Sequence, residues 1–138
     1  MVALDAKGIQ TSLADHLTNV TVIAFWATWC KPCLMELPQL AKLAAELHDS
    51  NVSVLAVDVG HDDRVDALAL LASRHISVPV LFDNDAAIYA AVFDGGIMVI
   101  PATALVRPNG IEKDDGYEPQ SDRAFVASWK RRIASHVK

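Results

Sequence analysis

The chain has little cysteine: two residues in 138, at positions 30 and 33. That excludes a disulfide framework, which needs several bridges to replace a core. No apolar run approaches the roughly 20 residues of a membrane span. There is no basic excess either: 12 Lys and Arg stand against 17 Asp and Glu, for a net charge of −5. Broad phosphate neutralisation, and with it a nucleic-acid partner, is not expected. Internal repeats, low-complexity tracts and Gly/Ser linkers are lacking. Met1-Val2-Ala3-Leu4-Asp5 lacks a charged segment followed by an apolar one. The chain is therefore expected either to remain in the cytosol or to have lost an export segment. What is present is globular: 52% apolar and 21% charged residues. One domain over residues 1–138 is expected, burying about two thirds of its unfolded surface without staples.

Strand-like and helix-like segments alternate, which predicts a sheet covered by helices. A polar entry, Lys7 to Asn19, has room for a short strand and a helical turn. Val20 to Trp26 is apolar at nearly every position and reads as a strand buried on both faces. Residues 30–48 carry Leu34, Leu37, Leu40, Ala41, Ala44 and Leu47 at helical spacing, with Pro38 expected to kink the helix. Asn51 to Val59 predicts a second strand, and Asp62-Asp63 a cap for a helix over 62–75. Val80-Leu81-Phe82 predicts a strand. Asp83-Asn84 then turns into a short helix over 85–93 that Asp94-Gly95-Gly96 breaks. Ala102 to Val106, Pro108-Asn109-Gly110 and Ile111 to Asp114 predict a hairpin with a charged edge strand. Ser121 caps a last helix with Phe125, Trp129 and Ile133 on its inner face. Lys130, Arg131, Arg132, His136 and Lys138 suit the negative end of that helix dipole better than they suit an anionic partner. The order β-α-β-α-β-α-β-β-α gives a mixed sheet.

The chemistry concentrates in Trp26-Ala27-Thr28-Trp29-Cys30-Lys31-Pro32-Cys33-Leu34-Met35-Glu36. A buried strand ends and a helix begins there. Unpaired N–H groups and a partial positive charge at a helix start stabilise a thiolate. Lys31 adds a cation, and Pro32 costs nothing in a first turn. Three-residue spacing places both sulfurs on one side of a turn. Cys30, at the exposed tip, is the expected nucleophile, and Cys33, one turn in, the resolving thiol. A zinc site would need two more ligands, and no second C-x-x-C or H-x₃₋₅-H exists. His61 with Asp58, Asp62 and Asp63 is the only local cluster, read as a polar helix cap. The bland reading makes both cysteines small buried apolar residues.

This motif resembles the thioredoxin superfamily, and within it the extracytoplasmic TlpA/ResA/DsbE-like thiol–disulfide oxidoreductases. The resemblance rests on Phe25-Trp26-Ala27-Thr28-Trp29-Cys30, Pro32-Cys33 and Glu36-Leu37-Pro38. Ser77-Val78-Pro79-Val80-Leu81-Phe82-Asp83 and Ile100-Pro101-Ala102-Thr103-Ala104-Leu105-Val106 extend it over roughly residues 8–135. It implies an α/β thioredoxin fold: a mixed central sheet flanked by helices on both faces, with an extra strand–helix insertion before a cis-proline. It implies that Ile100-Pro101, rather than Val78-Pro79, is that cis bond. Ala102 departs from the family's paired threonines. Thioredoxins proper carry a buried aspartate where this chain has Ala24. Glu36 instead occupies the place of the glutamate that shuttles protons in ResA-like proteins, against a plain reading as a first-turn acid. Trp29, Pro32, Ile100 and Pro101 are the implied substrate-binding residues, with Trp29 an apolar docking rim. Trp26 and Trp129 are expected to be packing residues.

The resemblance implies a protein-disulfide reductase that needs no cofactor beyond its redox-active Cys30–Cys33 pair. Its implied partners are oxidised exported proteins, such as apocytochrome c, and a membrane thiol–disulfide electron donor. A monomer outside the cytoplasm is expected. The opposite direction, a disulfide oxidase, stays open, as does a redox-sensing binding module without turnover. A peroxidase is not expected, because no lone cysteine sits in a T-x-x-C context.

Overall fold

The computed structural model describes residues 2–47, 50–83, 85–94, 98–115 and 117–134. Two short strands open the chain, β1 (Val2–Leu4) and β2 (Gln10–Ser12), followed by a 3-10 turn at Leu13–His16. β3 (Val20–Trp26), α1 (Lys31–Leu47), β4 (Val52–Asp58), α2 (Arg64–Ser73), β5 (Val80–Phe82) and α3 (Ala87–Phe93) come next. The hairpin of β6 (Ala102–Arg107) and β7 (Gly110–Asp115) leads to α4 (Asp122–Ala134). The polar entry thus holds the expected strand and turn. β1 was not legible, since a three-residue strand exists only through its pairing with β2 and β5. The breaks expected at Asn84 and Gly95-Gly96, and the end of the 30–48 helix, lie outside the described residues.

The seven strands form one mixed sheet in the order β2-β1-β5-β4-β3-β6-β7. β3 is central, parallel to β4 and antiparallel to β6. All seven of its residues are buried, as apolarity at every position but Thr21 requires. Alternation along it divides the core. Val20, Val22, Ala24 and Trp26 face α1, α2 and α4. Ile23 and Phe25 face α3, where Phe25, Tyr89 and Phe93 pack ring against ring. The fold is of the thioredoxin type. The segment α2-β5-α3, between β4 and the cis-proline, contains the extra strand–helix unit.

α1 continues through Pro38. Ser121 caps α4 through its hydroxyl, which accepts the Ala124 N–H at 3.1 Å. At the far end Lys130 pairs with Glu46, and Arg132 with Glu112 and Asp114. His136 and Lys138 lie outside the described residues. Trp26 and Trp129 are both core residues.

Candidate active site

The site grows out of the C-terminal end of β3. After Trp26 the chain turns, with Cys30 N–H donating to the Ala27 carbonyl at 3.2 Å, and enters α1. Cys30 is the cap of that helix. Its carbonyl accepts the Leu34 N–H at 3.1 Å, and its sulfur accepts the Cys33 N–H at 3.3 Å. Cys30 and Cys33 form a disulfide with Cα atoms 5.3 Å apart. When the bond is reduced, the Cys30 sulfur remains where helix N–H groups and the dipole favour negative charge. One expectation is corrected. Cys30 is not an exposed tip: it is 6% exposed and Cys33 1%. The turn folds the sulfur back onto the helix, so only its order of accessibility relative to Cys33 matches the expectation. Lys31 and Pro32 are exposed beside it. Trp29 is 63% exposed.

The second wall comes from β6. Ile100-Pro101 is a cis peptide, the only one among the described residues. Phe25 pairs with Ala102 across the sheet. The register therefore sets Pro101 beside the end of β3, where the cysteine loop begins. Val99 is exposed and Ile100 half-buried. Ala24, the position of the aspartate in thioredoxins proper, lies opposite Thr103.

Glu36 is buried at 4% exposure, one turn beyond Cys33. No hydrogen bond to its carboxyl occurs among the described residues. Burial first, and then the negative charge of Asp114, push it up to about 8. It is not sealed off: a cavity of about 340 Å³ reaches it, lined also by Thr103, Asp114, Tyr117, Glu118 and Arg132. A carboxyl of this kind can exchange a proton near the pKa of a thiol.

Residues for which the sequence suggested other roles hold this loop. Asp62 does not cap α2; Asp63 does, accepting the Asp66 N–H at 3.0 Å. Asp62 instead accepts the Thr28 N–H at 2.8 Å and the Thr28 hydroxyl at 2.6 Å. Trp29 donates its indole N–H to the Gly60 carbonyl at 3.3 Å, and Val59 N–H donates to the Trp26 carbonyl at 3.0 Å. The signal for this network was Asp58 itself, an acid closing an apolar strand.

Comparison with known proteins agrees with this geometry. Residues 1–113 match the AhpC/TSA family. The thiol-disulfide oxidoreductase ResA of Bacillus subtilis is 29% identical over 106 residues, covering 77% of this chain and 57% of ResA. The thioredoxin-like protein YneN of the same organism is 31% identical over 110 residues, 78% of this chain and 62% of YneN. The chain thus spans about six tenths of the length of these relatives. A secreted Mycobacterium tuberculosis disulfide oxidoreductase homologous to Escherichia coli DsbE superposes with a TM-score of 0.73 at 21% identity. That match covers 93% of this chain and 95% of the other, and it shows the fold.

Proposed function

The chain belongs to the AhpC/TSA family, as a TlpA/ResA/DsbE-like member of the thioredoxin superfamily, and from that premise we propose that it reduces protein disulfides through Cys30 and Cys33. The observation that carries this reading is the disulfide seated on the first turn of α1, with the Cys30 sulfur receiving a helix N–H. In the reduced protein the Cys30 thiolate attacks a substrate disulfide. A mixed disulfide forms and one substrate sulfur leaves as thiolate. Cys33 then gives up its proton and attacks Cys30. The second substrate sulfur leaves, and Cys30–Cys33 ends oxidised. Glu36 is the group we assign to take the Cys33 proton, its cavity giving the proton a way out.

Exposed Trp29, Pro32 and Val99, with Ile100 and Pro101 behind them, form the docking edge in this reading. An apolar rim beside an extended edge suits an unfolded or loosely folded peptide. The partners are oxidised proteins outside the cytoplasm, apocytochrome c among them, and a membrane thiol–disulfide donor that restores the dithiol. The secreted relative supports that compartment.

Turnover of insulin disulfides with dithiothreitol as reductant tests the activity, and Cys33→Ser tests the roles. The variant should accumulate a mixed disulfide through Cys30. Failure to trap any thiol partner would remove the assignment. Direction is read from the midpoint potential: near thioredoxin's (about −270 mV) for a reductase, and near DsbA's (about −120 mV) for an oxidase.

A further inference from the structure

Two carboxyls that the exchange chemistry does not use lie behind the rim of the site. Asp58, the last residue of β4, is 0% exposed. Its Oδ1 accepts the Gly60 N–H at 2.8 Å. Its Oδ2 is buried and receives no N–H or O–H from any described residue. A carboxylate left in that state has lost water and gained only half its hydrogen bonds. The neighbouring group is another carboxyl, that of Asp62: Gly60, whose N–H Asp58 holds, would bring a Cβ to 3.0 Å from Asp62 Oδ2. Two carboxyls bond to each other only when one carries a proton. Both oxygens of Asp62 already accept hydrogen bonds from Thr28. The proton therefore belongs on Asp58.

We propose that Asp58 and Asp62 are a one-proton pair that positions the Thr28–Trp29 rim: Asp58 Oδ2–H donates to Asp62, and Asp62 accepts both polar groups of Thr28. Gly60, held by Asp58, accepts the Trp29 indole and completes the clamp. The two aspartates are positioning residues, acting through the rim and not on the reacting sulfurs.

The surrounding charges do not supply another way to satisfy Asp58. Asp83 follows β5 and donates its N–H to the Asp58 carbonyl at 2.8 Å. Its own carboxyl is taken up by the N–H groups of Ala87, Ile88 and Tyr89. Asp63 is committed to the cap of α2. Arg64 is turned to the Ala6 carbonyl at 2.7 Å, and His61 and Lys31 are exposed. Trp26, paired with Asp58 across the sheet, buries an indole N–H that also lacks a partner among the described residues. Burial, with Asp62 alongside, pushes Asp58 up to about 7. Loss of the proton would set two anions side by side and loosen the grip on Thr28 and Trp29. Docking would then weaken as the pH rises through that value. This consequence for turnover rests on the disulfide-exchange reading, whereas the clamp itself does not.

The test follows the ¹³C shift of the Asp58 carboxyl, the Thr28 amide and the Trp29 indole N–H through a pH titration of the oxidised 138-residue chain. A Glu36→Gln background removes the buried acid that is pushed up to about 8. Asp58 should titrate near 7, with the Thr28 and Trp29 signals moving at the same midpoint. Asp58→Asn keeps a donor towards Asp62 and cannot ionise, so both signals should stay at their low-pH positions. Asp62→Asn presents Asp58 with an amide, so the Asp58 midpoint should fall towards the ordinary aspartate range. In the Glu36 wild type, Asp62→Asn should raise the KM for insulin disulfides several-fold, and by more than for a small disulfide. An Asp58 carboxyl already ionised well below 7, or Thr28 and Trp29 signals that titrate alike in Asp58→Asn, overturns the pair. A wild-type protein that turns over neither disulfide overturns the exchange reading alone, and the carboxyl titration still decides the pair.

Discussion

The phenol oxygen of Tyr89 holds both backbone polar groups of Val99: it accepts the Val99 N–H at 2.8 Å and donates to the Val99 carbonyl at 3.1 Å. Tyr89 belongs to α3 of the inserted segment, and its ring is stacked on Phe93 and set edge-on to Phe25. The insertion therefore fixes the chain one residue before the cis Ile100-Pro101 bond. Tyr89→Phe keeps the ring and removes both bonds. Each hydrogen bond is worth about 1 kcal/mol net. The expected result is a loss of about 1–2 kcal/mol in stability and a several-fold higher KM for insulin, with a small disulfide far less affected. Steady-state kinetics on the two substrates checks it. Equal effects on both would place Tyr89 in packing alone.

Glu36 makes the stability of the oxidised protein depend on pH. Its carboxyl is raised from 4.5 to about 8 in the fold. Between those values the folded protein keeps a proton that the unfolded chain has released. Stability is therefore fully present below about 4.5 and falls as the pH rises towards 8. Each tenfold difference in proton affinity between the folded and unfolded chain is worth ~1.4 kcal/mol, so the loss amounts to a few kcal/mol. Glu36→Gln should flatten that slope, leaving the parts due to Asp58, which ends near 7, and to Asp83, also raised by burial. Urea unfolding at the two ends of the window measures it. The same variant should remove the inflection near 8 from the rate at which Cys33 resolves a mixed disulfide. An unchanged rate profile would leave Glu36 a structural acid.

What was legible in the sequence was what is local. β3 is apolar at every position but Thr21, α1 repeats its leucines at helical spacing, and the cysteine motif sits between them, so strand, turn and helix could be read from adjacent residues. The hairpin was readable from Pro108-Asn109-Gly110 for the same reason. Asp62 and Tyr89 owe their roles to partners distant in sequence, and Cys30 to the way a local turn closes. Asp62 looks like a helix cap beside Asp63, but its partner Thr28 is 34 residues away. Cys30 looks exposed at a strand end, yet the turn through Ala27 tucks its sulfur under the helix start. Nothing near Tyr89 in sequence marks it, because its hydroxyl matters only once α3 packs beside Val99.

Gly60 marks where the two loops behind the disulfide approach most closely. A Cβ at Gly60 would lie 2.4 Å from the Ala27 Cβ, 2.8 Å from Trp29 Nε1 and 3.0 Å from Asp62 Oδ2. Ala27 is fully buried and cannot yield without moving the backbone before Cys30. The Trp29 and Asp62 atoms are those that hold the rim. Overpacking of this kind costs about 1–3 kcal/mol. Gly60→Ala should therefore destabilise the protein by that amount and also displace Trp29. Gly110 offers the control, since a Cβ there meets nothing closer than Arg107 Nη2 at 3.8 Å. Gly110→Ala should change stability by no more than about 0.5 kcal/mol. Chemical denaturation of the two variants, with the Trp29 indole N–H signal followed alongside, separates the outcomes. A Gly60→Ala protein as stable as Gly110→Ala, with the indole signal unmoved, would mean that the 58–62 loop does not press on the active-site turn.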